Sequence, residues 1–265
     1  MHLRWKTLAF LLLLFSINPI LPIGKASGSK KPILRISAGV GLKDALYVIQ
    51  EAYGKQNPTV AIEFNFAASG FLRKQIEQGA PVDLFLAPGL QHLQALLDGG
   101  FTDKEHSCAL LGNELALIVS REKQQQIKGF VDLLEQAETI AIGMPQMVPV
   151  GRYSQQTLSH LGLWKALKPR MVYGKSVRQV LAYVDSGNAD AGLIFASDTR
   201  LLKSAVVATV APKESHAPIV FSMAAIRGSR QEKALADFTS FLQSQQAATI
   251  FANQGFSPLI AVEKP

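Results

Sequence analysis

The amino-acid sequence predicts an α/β fold of two lobes, each a mostly parallel sheet flanked by helices, with a ligand cleft between them. Three observations carry that expectation. Strand-like and helix-like patterns alternate along the chain from Ile33 onward, as they do where sheets are flanked by helices. One plan occurs twice: Ala68-Ser69-Gly70 opens an amphipathic helix that stops at Gly79, and Ser176 opens another that stops at Gly187. Each copy leads into an apolar strand, Val82–Ala87 after the first and Ala191–Ala196 after the second. Two units that each offer a helix N-terminus suit two lobes closing on one small ligand.

The elements follow in order. Ile33–Ala38 reads as the first strand, and Gly39-Val40-Gly41 as a tight turn. Leu42–Tyr53 reads as a helix with Leu42, Ala45, Leu46, Ile49 and Ala52 on one face. Gly39-x-Gly41 is not a dinucleotide loop: the third glycine is missing, and no acidic residue ends a second strand to meet a ribose. What remains is a turn whose backbone N–H groups can face an anion. Val60, Ile62, Phe64 and Phe66 alternate as a strand, and the Ser69 turn follows. On spacing alone Ser69 can be read as an N-cap or as an anion-binding hydroxyl beside free N–H groups. Gln91–Leu97 reads as a helix ending at Gly99-Gly100, and Glu114–Ser120 as a strand that follows a first crossing between lobes.

Arg121–Lys128 is a polar connection. Phe130–Gln136 reads as a short helix and Thr139–Gly143 as a buried strand. Pro149-Val150-Gly151 opens the helix Arg152–Leu161, since proline suits a first helical turn. Met171–Tyr173, Ala191–Ala196 and Val206–Val210 read as strands. Pro218–Ile226 reads as the strand of the return crossing, placed near Val220–Met223. Gln231–Gln243 and Gln246–Asn253 close the chain, with Leu235, Phe238, Phe241 and Leu242 as a core-facing stripe.

Composition and charge bound the function. Of the 265 residues 48% are hydrophobic and only 8% aromatic, which suits an α/β chain with a substantial core rather than a disordered one. Arg4 and Lys6 precede the uncharged run Leu8–Phe15, and Gly24-Lys25-Ala26 supplies small residues, so residues 1–26 read as a secretory signal peptide cleaved after Ala26. An uncleaved anchor is the alternative, against which Pro19 and Pro22 stand. Losing Arg4, Lys6 and Lys25 lowers the net charge from +7 to +4, too little to indicate nucleic-acid binding. Cys108 is the only cysteine, which excludes an internal disulfide, and the chain has no Cys/His metal-ligand spacing.

An enzyme needs a nucleophile with its base, a metal cluster or paired carboxylates. His92, His106, His160 and His216 are scattered, none in a candidate turn, and no base can be assigned to Ser69. Asp83 has no partner carboxylate nearby and reads as a residue that ties down a loop. Arg152, beside a candidate turn, reads equally as a ligand cation or a surface charge. The turns supply neutral donors, which bind an anion without transforming it.

Particular motifs carry a resemblance. Gly41-Leu42-Lys43-Asp44-Ala45-Leu46, Ala68-Ser69-Gly70 with Arg73–Phe85, Leu111-Gly112-Asn113, Val148–Tyr153, Leu161–Trp164, Val177–Leu181 and Ala191–Asp198 occur in this order. With them the chain resembles, over nearly all of its length after the leader, the periplasmic molybdate-binding proteins of ABC importers, which are type II solute-binding proteins. The resemblance implies a lobe of residues 33–112 plus 224–265, a second lobe of residues 113–223, and a monomer. It also implies an extracytoplasmic location, an ABC importer permease as partner, no nucleic acid, no cofactor, and molybdate or tungstate as ligand.

The family's oxyanion contacts would fall on Gly41, Ser69, Val150, Val177 and Phe195. The ligand is itself a metal oxyanion, so no separate metal site is implied. Ser69 keeps the family hydroxyl, and Val150 and Val177 would offer backbone N–H groups. Gly41 and Phe195 stand where the family has a serine and a tyrosine. Loss of two hydrogen bonds to a charged group would cost about 3–6 kcal/mol unless water, Tyr153, Tyr173 or Ser197 substitutes. The same fold retuned for another small anion or a less polar solute is therefore the alternative. A two-lobed enzyme or a sensor domain is a more distant one.

Overall fold

The computed structural model describes residues 31–259, so the predicted leader lies outside the described residues. Lobe 1 begins with β1 (Ile33–Gly39), α1 (Lys43–Gln56), β2 (Ala61–Ala67), α2 (Ser69–Glu77), β3 (Leu84–Pro88), α3 (Leu90–Asp98) and β4 (Ser107–Asn113). Lobe 2 comprises β5 (Leu115–Val119), α4 (Leu133–Gln136), β6 (Ile140–Gly143), α5 (Pro149–His160), α6 (Trp164–Leu167), β7 (Met171–Gly174), α7 (Val177–Asp185), β8 (Ala191–Phe195) and β9 (Val206–Val210). The chain then returns to lobe 1 as β10 (Ile219–Ala225), α8 (Glu232–Leu242), α9 (Gln245–Asn253) and β11 (Ser257–Pro258).

The sheet of lobe 1 has the order β11-β4-β10-β3-β1-β2, and that of lobe 2 the order β7-β6-β8-β5-β9. β1 is apolar along most of its length because β2 and β3 pair with it on both sides. β1, β2, β3 and β4 run one way, while β10 runs against β3 and β4. In lobe 2, β5 runs against β8 and β9, and β6 is parallel to β7 and β8. The mostly parallel sheets expected are thus mixed. The reversed strands are β10 and β11 in the first sheet and β5 in the second; β5 and β10 each follow a crossing between lobes.

The helices pack as their patterns require. α1 buries Ala45, Leu46, Ile49 and Tyr53. The α8 stripe of Leu235, Phe238, Phe241 and Leu242 is buried, with the Tyr53 ring 5.0 Å from Phe238 and 5.4 Å from Phe241. Gly79 and Gly187 follow α2 and α7 with φ of +84° and +75°, the left-handed turn that ends a helix most easily at glycine.

Four expectations change. Pro218–Ile226 does not bridge the lobes, and residues 219–223 do not belong to lobe 2. β10 lies wholly in the first sheet, largely buried between β3 and β4, so the return crossing is the segment 211–218, rich in proline and polar residues. Asn113 closes β4 in lobe 1. β4 and the short β11 went unforeseen, because neither alternates cleanly in sequence. The helix expected over Phe130–Gln136 has only the four residues of α4; Asp132 Oδ2 accepts from the N–H groups of Lys128 and Gly129 and holds the preceding residues in a turn. The first helix runs past its expected end at Tyr53, so Gly54 lies inside α1, and a Cβ there would meet nothing within 4 Å. Gly54→Ala is therefore expected to raise stability by about 0.5–1 kcal/mol, read from the midpoint of urea unfolding.

Candidate ligand site between the lobes

Four helix starts converge on one small cavity. Gly41 lies in the short helical turn Val40–Leu42 before α1, Ser69 is the first residue of α2, Val150 the second of α5, and Val177 the first of α7. All four line a small cavity of about 20 Å³, together with Phe195 at the end of β8, Pro88 at the end of β3, and Val148. The first-turn N–H groups of a helix have no partner within that helix, and they carry the positive end of its dipole. α2, α5 and α7 have no acidic residue in their first turns to offset it. The cavity is more than tenfold smaller than the roughly 300–1,000 Å³ typical of drug-sized ligands. Its shape and donors suit a small anion.

Ser69 supplies the one side-chain hydroxyl among the lining residues. It is not an N-cap: Ala68 holds that position, and Ser69 Oγ is buried without a hydrogen-bond partner among the described residues. Ser176, its counterpart in the second copy, does cap α7, accepting from the Gln179 N–H at 3.2 Å. The two copies therefore share a backbone plan and differ in what the serine does.

The lobes are in contact around the cavity. The Gly70 N–H donates to the Met147 carbonyl across the cleft at 3.1 Å. Asn113 Nδ2 donates to Ser197 Oγ at 2.8 Å beside the first crossing. Gly41, where a serine was the family expectation, faces Asp198: a Cβ there would lie 3.4 Å from Asp198 Oδ2. Phe195 belongs to an aromatic chain, its ring 6.3 Å from Tyr153 and 5.3 Å from Phe221.

None of the three hydroxyls considered as substitutes lines the cavity. Burial pushes the Tyr153 phenol up to about 12, against the opposing pull of the Val220 backbone and Arg152. Tyr173 is exposed on β7, and Ser197 Oγ is occupied by Asn113. Arg152 is exposed and lies outside the lining. Asp83 accepts from the Arg35 N–H at 2.7 Å and from Ser229 Oγ at 2.6 Å, so it ties two loops to β1 as a structural residue.

Sequence reading missed the charged group behind Gly41. Asp198 is fully buried, with its Oδ1 2.9 Å from Arg178 Nε, although the N–H is not aimed at the oxygen and the contact is chiefly Coulombic. Burial pushes the Asp198 carboxyl up to about 7; Arg178 and Arg200 pull it down and Asp44 pushes it further up. Burial likewise lowers His92 to about 4, with Arg73 and Arg152 adding to the effect.

The two groups have opposite linkage. Between pH 3.8 and about 7 the folded state keeps the Asp198 proton that the unfolded chain has released, so this contribution to stability is lost as pH rises through that window. Between 6.5 and about 4 the unfolded chain binds a proton that folded His92 refuses, so stability falls as pH falls. Asp198→Asn is expected to remove the first slope and leave the second. The gain over wild type should then be larger at pH 8 than at pH 4.5 in urea unfolding; equal shifts at both would sink the assignment.

The comparisons with known proteins agree with this architecture. Residues 34–257 match the family model described as bacterial extracellular solute-binding protein. The chain is 38% identical over 228 residues to YvgL of Bacillus subtilis, named as an ABC transporter substrate-binding lipoprotein, covering 86% of this chain and 87% of that one. It is 32% identical over 227 residues to the molybdate-binding protein ModA of Haemophilus influenzae, covering 84% and 89%. The periplasmic molybdate-binding protein of Azotobacter vinelandii shares the fold, with a TM-score of 0.75 at 24% identity, covering 84% of this chain and 98% of that one. Proteins of this kind bind and hand over solutes and are not enzymes. A family match over almost all the described residues, on a fold that closes helix starts around one cavity, shows that the chain belongs to the bacterial extracellular solute-binding proteins.

Proposed function

We propose that this protein is an extracytoplasmic receptor that binds a tetrahedral oxyanion, molybdate or tungstate, between its lobes and delivers it to the membrane permease of an ABC importer. The observation that carries the reading is the convergence of four helix starts from both lobes on a cavity with one side-chain hydroxyl. Such a site holds an anion through backbone N–H groups and takes no part in its chemistry. Gly41, Ser69, Val150 and Val177 are its donors and Phe195 its apolar wall. Only the closed form brings donors of both lobes together, so ligand favours closure. The names of the ABC substrate-binding and molybdate-binding relatives support this solute and this partner. A leader cleaved after Ala26 would place the receptor outside the cytoplasm, where it acts as a monomer.

Calorimetric titration of the chain from Ser27 with molybdate, tungstate and sulfate tests the reading. One-to-one binding of the first two and not the third is the expected result; no heat from any of them would overturn it. Ser69→Ala should weaken molybdate binding roughly 10- to 150-fold, the equivalent of one hydrogen bond to a charged group. Wild-type affinity in that variant would remove Ser69 from the site.

A second reading rests on Gly41 and Phe195. With a dry aromatic wall and no second hydroxyl, the cavity also suits another small anion or a less polar solute. Phe195→Tyr separates the two: a gain in molybdate affinity favours the first, and no change in a chain that binds none favours the second.

A further inference from the structure

We infer that Arg178 is a positioning residue that fastens lobe 2 onto lobe 1 in the closed form and sets the α7 donor turn against the Gly41 turn. It directly follows Val177, the lining residue at the start of α7. Its guanidinium leaves lobe 2 and reaches lobe 1 at two points. Nη2 lies 2.7 Å from Asp44 Oδ2 at the start of α1, and 3.5 Å from the carbonyl oxygen of Gly41, another lining residue. Nε faces buried Asp198 at 2.9 Å, which holds the guanidinium from the lobe 2 side. Arg200, also of lobe 2, reaches the same Asp44 oxygen at 3.3 Å.

Asp44 is thus a lobe 1 carboxylate gripped by two lobe 2 arginines, with Asp198 beside the first of them. With Asp198 ionised the two carboxylates balance Arg178 and Arg200, and with it protonated the seam carries one net positive charge. The arrangement needs a planar fork. An ammonium on a flexible stem cannot reach Asp44, the Gly41 carbonyl and Asp198 together. Opening the cleft would break the Asp44 and Gly41 contacts and leave the Asp198 contact intact, since only the first two cross the seam.

The inference rests on the reading that solute binds between the lobes, and the test keeps the two apart. Molybdate affinity and dissociation rate would be measured for wild type, Asp44→Asn, Arg178→Lys and the double variant. Asp44 is partly exposed and lies in a surface pair, so ligand-free Tm should be nearly unchanged in Asp44→Asn. Its dissociation rate should rise roughly 5- to 20-fold, and Arg178→Lys should add less than about twofold in that background, as expected of two ends of one contact. Wild-type dissociation from Asp44→Asn, or full additivity, would overturn the inference.

If wild type binds no molybdate, it is the solute reading that fails. Spin labels on Lys74→Cys and Lys165→Cys in a Cys108→Ser background then decide the matter in ligand-free protein. Asp44→Asn should shift the inter-lobe distances to longer values, and an unchanged distribution would overturn the role given to Arg178.

Discussion

Gly70→Ala is expected to lower molybdate affinity roughly 5- to 150-fold, the equivalent of about 1–3 kcal/mol of overpacking, while the ligand-free protein unfolds as wild type does. Gly70 is the second residue of α2 in lobe 1, and its neighbour across the seam is the backbone of lobe 2. An added Cβ would lie 2.8 Å from the Met147 carbonyl oxygen and 2.9 Å from Met147 Cα. Backbone cannot rotate aside as a side-chain tip can. The same methyl would push apart the N–H···O bond between Gly70 and Met147. The obstacle exists only when the lobes meet, so it acts on closure and not on the folding of lobe 1. Calorimetry and urea unfolding on the same preparation check both halves. Affinity within twofold of wild type would show that the lobes bind solute without this contact, and a lowered unfolding midpoint in ligand-free protein would show that the contact belongs to the fold itself.

Gly151→Ala is expected to act on the fold. The first turn of α5 rests on the end of β6, and a Cβ on Gly151 would lie 1.9 Å from the Gly143 carbonyl oxygen and 2.4 Å from its carbon. Neither atom can yield without moving the helix off the sheet. A destabilisation above about 3 kcal/mol is expected, at the upper end of overpacking effects. At this chain length that corresponds to a fall in Tm of at least roughly 6–12 °C. Thermal unfolding of ligand-free protein measures it, and a wild-type Tm would show that α5 can ride higher on β6 than this packing allows. Because Val150 precedes Gly151, any displacement also moves a donor of the proposed site. Loss of stability and of affinity should therefore appear together here, whereas Gly70→Ala separates them.

Much of the architecture is legible in local pattern. Strand and helix periodicity, the glycine stops at Gly79 and Gly187, and proline at the start of α5 specify most elements, because each reports on burial or backbone geometry within a few residues. The five residues Gly41, Ser69, Val150, Val177 and Phe195 could be named from turns at strand ends and from resemblance, and the structure gathers all five around one cavity. What local pattern leaves open is whatever depends on a distant partner. Whether Ser69 caps its helix or points a free hydroxyl into the cavity turns on a one-residue shift of the helix start, which Ser176 resolves the other way.

The return crossing was misplaced for a similar reason. An apolar strand such as β10 fits either lobe until its pairing with β3 and β4 is known. Gly70 and Gly151 look like ordinary turn glycines in the sequence, yet each faces backbone from another segment. Asp44, Arg178 and the pair Asp198 and Arg200 come from three places in the chain and become one charged seam only when the lobes close. The two-lobed α/β class and the strand-to-helix turns are readable residue by residue, because both arise from short-range periodicity and backbone geometry. Which lobe holds β10, whether Ser69 caps its helix and which residues meet across the seam depend on contacts between residues far apart in the chain.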